Sequence, residues 1–307
     1  SSAASTPAAR AVIDPSLAGP YRAGTTTITW TRPSTTTGEP RELDTVIWYP
    51  AEGEPGGEAL EDAMPRAGAG PFPVVIFSHG HSGGPRNAEY LTEHLASWGY
   101  VVASPPHRGN TGADCGTFCP AGTIPDSARN RVPDVEFVLD SLLALRDDPA
   151  SALGAVVDPE RSAIIGHSFG GWTALMAAPG GRFDAIVGLA PATTITGLAA
   201  EQTRVPVLLI ASGQDELIPI AEIDKAWLAL PEGIGKVYVE LPEGGHTSYI
   251  GRCIPCPPLG QERAKELVRR YVTAFLQVHI AGDARYAEYL AAAPPDAVLR
   301  QPPAAAP

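Results

Sequence analysis

The run Ala163-Ile164-Ile165-Gly166-His167-Ser168-Phe169-Gly170-Gly171-Trp172 decides the reading of this chain. Its first three residues form an apolar strand signal, and residues 172–178 are compatible with a helix. A serine therefore sits on the turn between them. Glycines at 166 and 170 remove Cβ atoms where strand and helix must approach, which allows the turn to be sharp and strained. The Ser168 hydroxyl would then stand at a strand end beside a helix N-terminus, where developing negative charge is favoured.

Three further segments surround this turn in the chain. Pro73-Val74-Val75-Ile76-Phe77-Ser78-His79 reads as a buried strand entering the glycine-rich loop Gly80-His81-Ser82-Gly83-Gly84. Val205-Pro206-Val207-Leu208-Leu209-Ile210-Ala211 is a second apolar strand, and Ser212-Gly213-Gln214-Asp215 follows it with a carboxylate just past the strand end. Val237-Tyr238-Val239-Glu240-Leu241 alternates as a late strand and leads to Gly244-Gly245-His246. The order Ser168, Asp215, His246 is that of a nucleophile, an orienting acid and a general base.

A serine hydroxyl is a weak nucleophile near neutrality and needs a base within hydrogen-bond reach; imidazole is the side chain that ordinarily titrates there. The expected catalytic set is Ser168, His246 and Asp215, with Asp184, Asp158 and Asp114 as alternative acids. Asp158 and Asp184 precede strands, and Asp114 precedes the nucleophile. The backbone N–H groups of His81 and Phe169 are the expected oxyanion donors. His81, Phe169, Trp172 and Leu217 are candidate substrate contacts, whereas His79 and His107, also at strand ends, read by default as structural or solvated.

Alternation of strands and helices extends along the chain. Residues 25–30 and 43–50 alternate with β-favouring side chains and predict an antiparallel pair. Residues 52–72 read as a loop. A helix near 88–98, a strand at 100–104 and a helix near 133–146 follow, the last with Val135, Val138, Leu139, Leu142 and Leu145 on one face. Further units fall at 161–167, 169–178, 184–190, 205–211, 221–230, 236–241 and 260–280. This pattern predicts a mostly parallel sheet with helices on both faces. Residues 191–204 are too few for a cap of packed helices, so the site should be open. Residues 105–130 form a long Gly- and Pro-rich loop placed to wall the cleft. The expected organisation is one domain over 1–292 and an Ala/Pro-rich, disordered tail over 293–307.

Composition limits the functions. A hydrophobic fraction of 44% suits a single large core, and net charge −12 disfavours nucleic acid and anionic membranes. No stretch has the apolar length of a bilayer span. The small-residue start Ser1-Ser2-Ala3-Ala4-Ser5 is compatible with a removed secretion signal, and a secreted monomer is the expectation. Cys115, Cys119, Cys253 and Cys256 form two close pairs; four cysteines allow three disulfide connectivities, and a four-thiolate zinc site is the rival. No phosphate-binding glycine loop points to an organic cofactor, and no metal is assigned.

The Gly-x-Ser-x-Gly spacing in this context resembles the nucleophile elbow of α/β-hydrolases. With Trp48-Tyr49-Pro50, Ser78-His79-Gly80-His81, Trp98-Gly99-Tyr100, Gly213-Gln214-Asp215, Gly245-His246 and Asp283-Ala284-Arg285-Tyr286, nearly the whole chain is similar to secreted bacterial polyesterases, lipases and cutinase-type enzymes. It shares features with dienelactone-hydrolase-like and platelet-activating-factor-acetylhydrolase-like esterases. Such polyesterases usually carry Trp-Ser-Met at the elbow and Tyr in the oxyanion loop, where this chain has His167-Ser168-Phe169 and His81. Ser168 excludes the cysteine chemistry of dienelactone hydrolases proper, and no Asp follows the 184–190 strand as in the acetylhydrolases. The resemblance implies a serine carboxylesterase forming an acyl-enzyme on short- to medium-chain esters, with polyesters as an extension. A lipid acetylhydrolase, an acyltransferase or peptidase on the same triad, and a non-catalytic binding protein are the competing readings.

Overall fold

A computed structural model describes residues 12–194, 196–253 and 255–300. Its strands are β1 (Arg22–Pro33), β2 (Pro40–Ala51), β3 (Leu60–Glu61), β4 (Phe72–Ser78), β5 (Val101–Ser104), β6 (Val157–His167), β7 (Ala185–Leu189), β8 (Val207–Ser212), β9 (Lys236–Leu241) and β10 (Val298–Leu299). Among the described residues they form one sheet in the order β10-β9-β8-β7-β6-β4-β5-β2-β1-β3. From β5 through β4, β6, β7, β8 and β9 all neighbours are parallel. The expected antiparallel opening is present: β1 pairs with β2 over their full lengths, and β2 joins β5 antiparallel.

Parallel strands crossed over by helices are covered on both faces, and the side chains of β4 show it. Val75 and Phe77 enter one core with Leu91 and Leu95 of α1 (Glu89–Ser97) and with Leu267, Tyr271 and Phe275 of α7 (Gln261–His279). Val74 and Ile76 enter the opposite core with Val135, Val138 and Leu142 of α3 (Ile124–Ala144), Leu175 of α4 (Phe169–Ala177) and Ile223 of α6 (Ile220–Ala229). The remaining helices, α2 (Gly112–Cys115), α5 (Gly197–Gln202) and α8 (Ala287–Ala291), are short. Within 191–204 the only helix among the described residues is the six-residue α5, so this segment carries no helical cap.

Three segments differ from the sequence reading. α3 begins at Ile124 instead of near 133, because Pro125 occupies its first turn and Pro133 is accommodated inside it. Proline suits a first turn but is costly within a helix, which made 133 look like a start. Leu60–Glu61, expected as loop, adds to the β1 edge. The segment from 293 is not a free tail through residue 300: Val298–Leu299 pairs with β9, Asp296 holds Arg263 at 2.5 and 2.8 Å, and Arg300 reaches Glu240 at 2.6 Å. Ala/Pro composition suggested disorder, but the partners that order this segment are remote in sequence. Residues 301–307, like the small-residue start at 1–11, lie outside the described residues.

Candidate active site

All site loops leave the carboxyl ends of the parallel strands, the usual ligand edge of such sheets. At the end of β6, Ser168 has φ 54° and ψ −116°, a left-handed conformation that a side chain rarely adopts. The turn holds it by several bonds. Ser168 N–H donates to Leu189 O at 2.9 Å, and Ser168 O accepts from Ala192 N–H at 2.9 Å and Trp172 N–H at 3.0 Å. The flanking glycines are required by contact: a Cβ on Gly166 would lie 1.9 Å from Gly170 O, and one on Gly170 would lie 1.8 Å from Ser78 O.

The structure brings the three sequence-predicted side chains together. His246 begins a short turn after β9, and its Nε2 is 2.9 Å from Ser168 Oγ. Its Nδ1 is 2.8 Å from Asp215 Oδ2. Asp215, in the loop after β8, is buried, and its other oxygen accepts the Leu217 and Ile218 N–H groups at 2.9 and 2.8 Å. Both carboxylate oxygens are thus occupied. The alternative acids go elsewhere: Asp158 binds Arg161, Asp184 accepts from Ser162 N–H, and Asp114 caps α2 at Thr111.

His167, beside the nucleophile, donates from Nε2 to His246 O at 2.9 Å, and its ring centre lies 4.9 Å from that of His246 with the rings tilted by 46°. Burial, and secondarily a charge on His246, brings its pKa down to about 3, so it stays neutral and anchors the turn carrying His246. His79 and His107 are fully buried beneath the oxyanion loop, consistent with the structural default. His107 N–H donates to His79 Nε2 at 3.0 Å, and His107 lies between Ser78 Oγ (2.8 Å) and Asp134 Oδ2 (3.3 Å). Burial, with neighbouring positive charge, holds both histidines well below their usual range.

A cleft of about 630 Å³ opens over Ser168 and His246. His81, Phe169, Trp172 and Leu217 all line it, together with Phe118, Ile124 and Ile250, which sequence reasoning did not single out. Phe118 comes from the 105–130 segment that was expected to form a wall, and its position between two cysteines was the available signal. Those cysteines are bridged, Cys115 to Cys119 and Cys253 to Cys256, which excludes a shared zinc site. The first bridge ties the turn to the oxyanion loop: Cys119 O accepts from His81 Nε2–H at 2.9 Å, Cys119 N–H donates to Ser82 Oγ at 2.8 Å, and the Phe118 ring meets His81 edge-on at 5.0 Å. Phe169 is the first residue of α4, and the first N–H groups of a helix have no acceptor within it.

The family model described as PETase, PET hydrolase-like, matches residues 51–303. Cutinase 2 of Thermobifida cellulosilytica is 25% identical over 230 residues, covering 74% of this chain and 76% of the relative. Lipase 1 of Moraxella sp. (strain TA144) is 27% identical over 240 residues, 77% of this chain and 64% of that one. Among solved structures, a ferulic acid esterase from Streptomyces cinnamoneus superposes with a TM-score of 0.72 at 23% identity, covering 97% of this chain and 98% of its own, and so shares the fold. With the family model spanning most of the sheet and every site loop, this chain belongs to the PET hydrolase-like family of α/β-hydrolases and is an ester-hydrolysing enzyme.

Proposed function

We propose that Ser168, His246 and Asp215 hydrolyse carboxylic esters through an acyl-enzyme. The observation that carries this is the continuous Ser168–His246–Asp215 hydrogen-bond chain, 2.9 and 2.8 Å, at the floor of an apolar cleft. As Ser168 Oγ attacks the ester carbon, His246 Nε2 takes its proton and the carbonyl oxygen becomes an oxyanion facing the N–H groups of His81 and Phe169. Collapse breaks the carbon–oxygen bond to the alcohol, which leaves with the proton returned from His246. A water then attacks the acyl-enzyme, giving its proton to His246, and the second collapse releases the acid and restores the Ser168 hydroxyl. Asp215 accepts the Nδ1–H throughout, and the Leu217 and Ile218 N–H groups on its other oxygen fix its orientation towards His246.

The substrates that fit are short- to medium-chain esters and, by extension, polyesters. Phe118 and Leu217 are 73% and 71% exposed at the cleft mouth, an apolar rim that a solid ester surface would cover. We also infer a secreted monomer folding as one domain; two disulfides support an oxidising compartment, and no helix among the described residues is long and apolar enough to cross a membrane. The test is a p-nitrophenyl ester series from acetate to palmitate beside a polyester film, using wild type and Ser168→Ala. Release from short esters and film, lost in Ser168→Ala, is expected. Turnover surviving in the variant would refute the assignment, and activity confined to short esters would remove the polyester extension.

A further inference from the structure

Arg131 projects from α3 and is fully buried, yet it makes no ion pair among the described residues; Asp134, on the same helix, is engaged by Arg32, Arg41 and His107. Isolated burial of a guanidinium is costly, and an apolar side chain would fill the space more cheaply. All five of its N–H groups are nonetheless placed. Nε donates to Ser127 Oγ at 3.1 Å. Nη1 donates to His79 O at 2.6 Å and points at Ser78 Oγ at 3.5 Å. Nη2 donates to Asn110 Oδ1 at 3.0 Å and to Gly80 O at 3.4 Å.

Gly80 O and the His81 N–H belong to one peptide unit. In a trans peptide the two point in opposite directions, so holding the carbonyl from the buried side aims the N–H the other way, towards the cleft. Gly80 O is held by three donors, since His79 Nδ1–H and Gly83 N–H also reach it, at 2.7 and 3.1 Å. Donors on the carbonyl polarise the peptide and strengthen its N–H as a donor. The same guanidinium lies 4.1 Å from the centre of the Phe169 ring, the side chain of the second donor residue. Asn110 completes the frame: its Oδ1 accepts from Arg131, and its Nδ2–H donates to His81 Nδ1 at 2.8 Å.

We propose that Arg131 is the positioning residue of the oxyanion hole, bracing the 80–81 peptide and Phe169 from beneath so that their two N–H groups converge. This rests on the reading of His81 and Phe169 as the oxyanion donors. A planar fork serves this role because it reaches two successive carbonyls, Asn110 and an aromatic face at once; an ammonium keeps the charge but loses the fork.

The test is steady-state kinetics of Arg131→Lys and Arg131→Gln on p-nitrophenyl butyrate, with rates normalised to active sites titrated by a fluorophosphonate. Loosening a catalytic geometry by about 1 Å costs on the order of 100-fold, so kcat should fall about 10- to 100-fold while KM stays within about twofold. Inhibition by an alkyl boronic acid, whose tetrahedral adduct on Ser168 places an oxygen in the hole, should weaken by a similar factor. A merely structural role would lower the active-site titre and the melting temperature and leave kcat per active site and boronate affinity as in wild type; that result overturns the proposal. If neither variant folds, Asn110→Ala decides: it should lower kcat about three- to tenfold, the worth of one hydrogen bond, and an unchanged kcat in folded protein overturns the bracing. Turnover persisting in Ser168→Ala would instead overturn the underlying site assignment.

Discussion

Acid should destabilise this protein in a way that one remote histidine reports. His94, on α1, lies buried against the opposite face of the sheet from Arg131, with Nε2 between Pro15 O (2.9 Å) and Thr273 Oγ1 (3.0 Å). Burial, reinforced by the positive charge of Arg269 and opposed by the Pro15 hydrogen bond, lowers its pKa from 6.5 to about 3. The unfolded chain therefore binds a proton below pH 6.5 that the folded chain refuses until about pH 3. Its contribution is fully present above 6.5 and is lost progressively between 6.5 and 3 as pH falls. At pH 4.5, two units below the unfolded value, the loss is about 2–3 kcal/mol, at ~1.4 kcal/mol per unit.

His94→Gln keeps a donor for Pro15 O and removes the titration. Urea unfolding of wild type and variant at pH 7.5 and 4.5 gives a double difference in which the pH-independent cost of the substitution cancels. The stability lost between the two pH values should be smaller in His94→Gln by about 2–3 kcal/mol. Buried His79, His107 and His167 are shifted in the same direction, so both proteins should still weaken in acid. An identical loss in the two proteins would refute the reasoning, since it would mean that His94 takes up its proton in the folded state.

Other substitutions probe the site. Asp215→Asn should keep the fold but lower kcat about 10⁴-fold at pH 7.5, because the amide can donate to Nδ1 and favour the wrong tautomer; kinetics with less than tenfold loss would remove Asp215 from the triad. Gly170→Ala sets a methyl 1.8 Å from the backbone oxygen of Ser78, which cannot move alone, and should cost more than about 4 kcal/mol by denaturant unfolding or prevent folding; near-native stability would show that the elbow can open. Replacing Cys115 and Cys119 by serine frees the turn that holds Phe118 against His81. Film hydrolysis should drop at least about threefold more than p-nitrophenyl acetate turnover, the worth of one weak ring contact. Equal losses on the two substrates would separate Phe118 from surface binding.

Much of the site was legible because its parts obey local rules. The strand before Ser168 and the glycines around it are adjacent in sequence, and Asp215 and His246 each follow an apolar strand by a few residues. The missed elements fail local rules for identifiable reasons. Pro133 resembles a helix start when read alone, yet α3 passes through it. Val298 and Leu299 sit in an Ala/Pro-rich segment, and only the open edge of β9 and the partners of Asp296 and Arg300 order them. Phe118 lies in a Gly- and Pro-rich stretch without periodicity, and its partner at the cleft, the His81 ring, comes from a loop far away in the chain that also hydrogen-bonds the neighbouring Cys119 O.

By itself the sequence determined the alternation that makes a doubly covered parallel sheet, the turn that lifts Ser168 and the chain order of nucleophile, acid and base, because periodicity, glycine and strand ends are local properties. Only the tertiary structure decided which aspartate meets His246, which side chains wall the cleft, and that Arg131 spends a buried charge beneath the 80–81 peptide. Those facts depend on distances between residues that the chain keeps tens of positions apart, and the packing of loops at one edge of the sheet sets them.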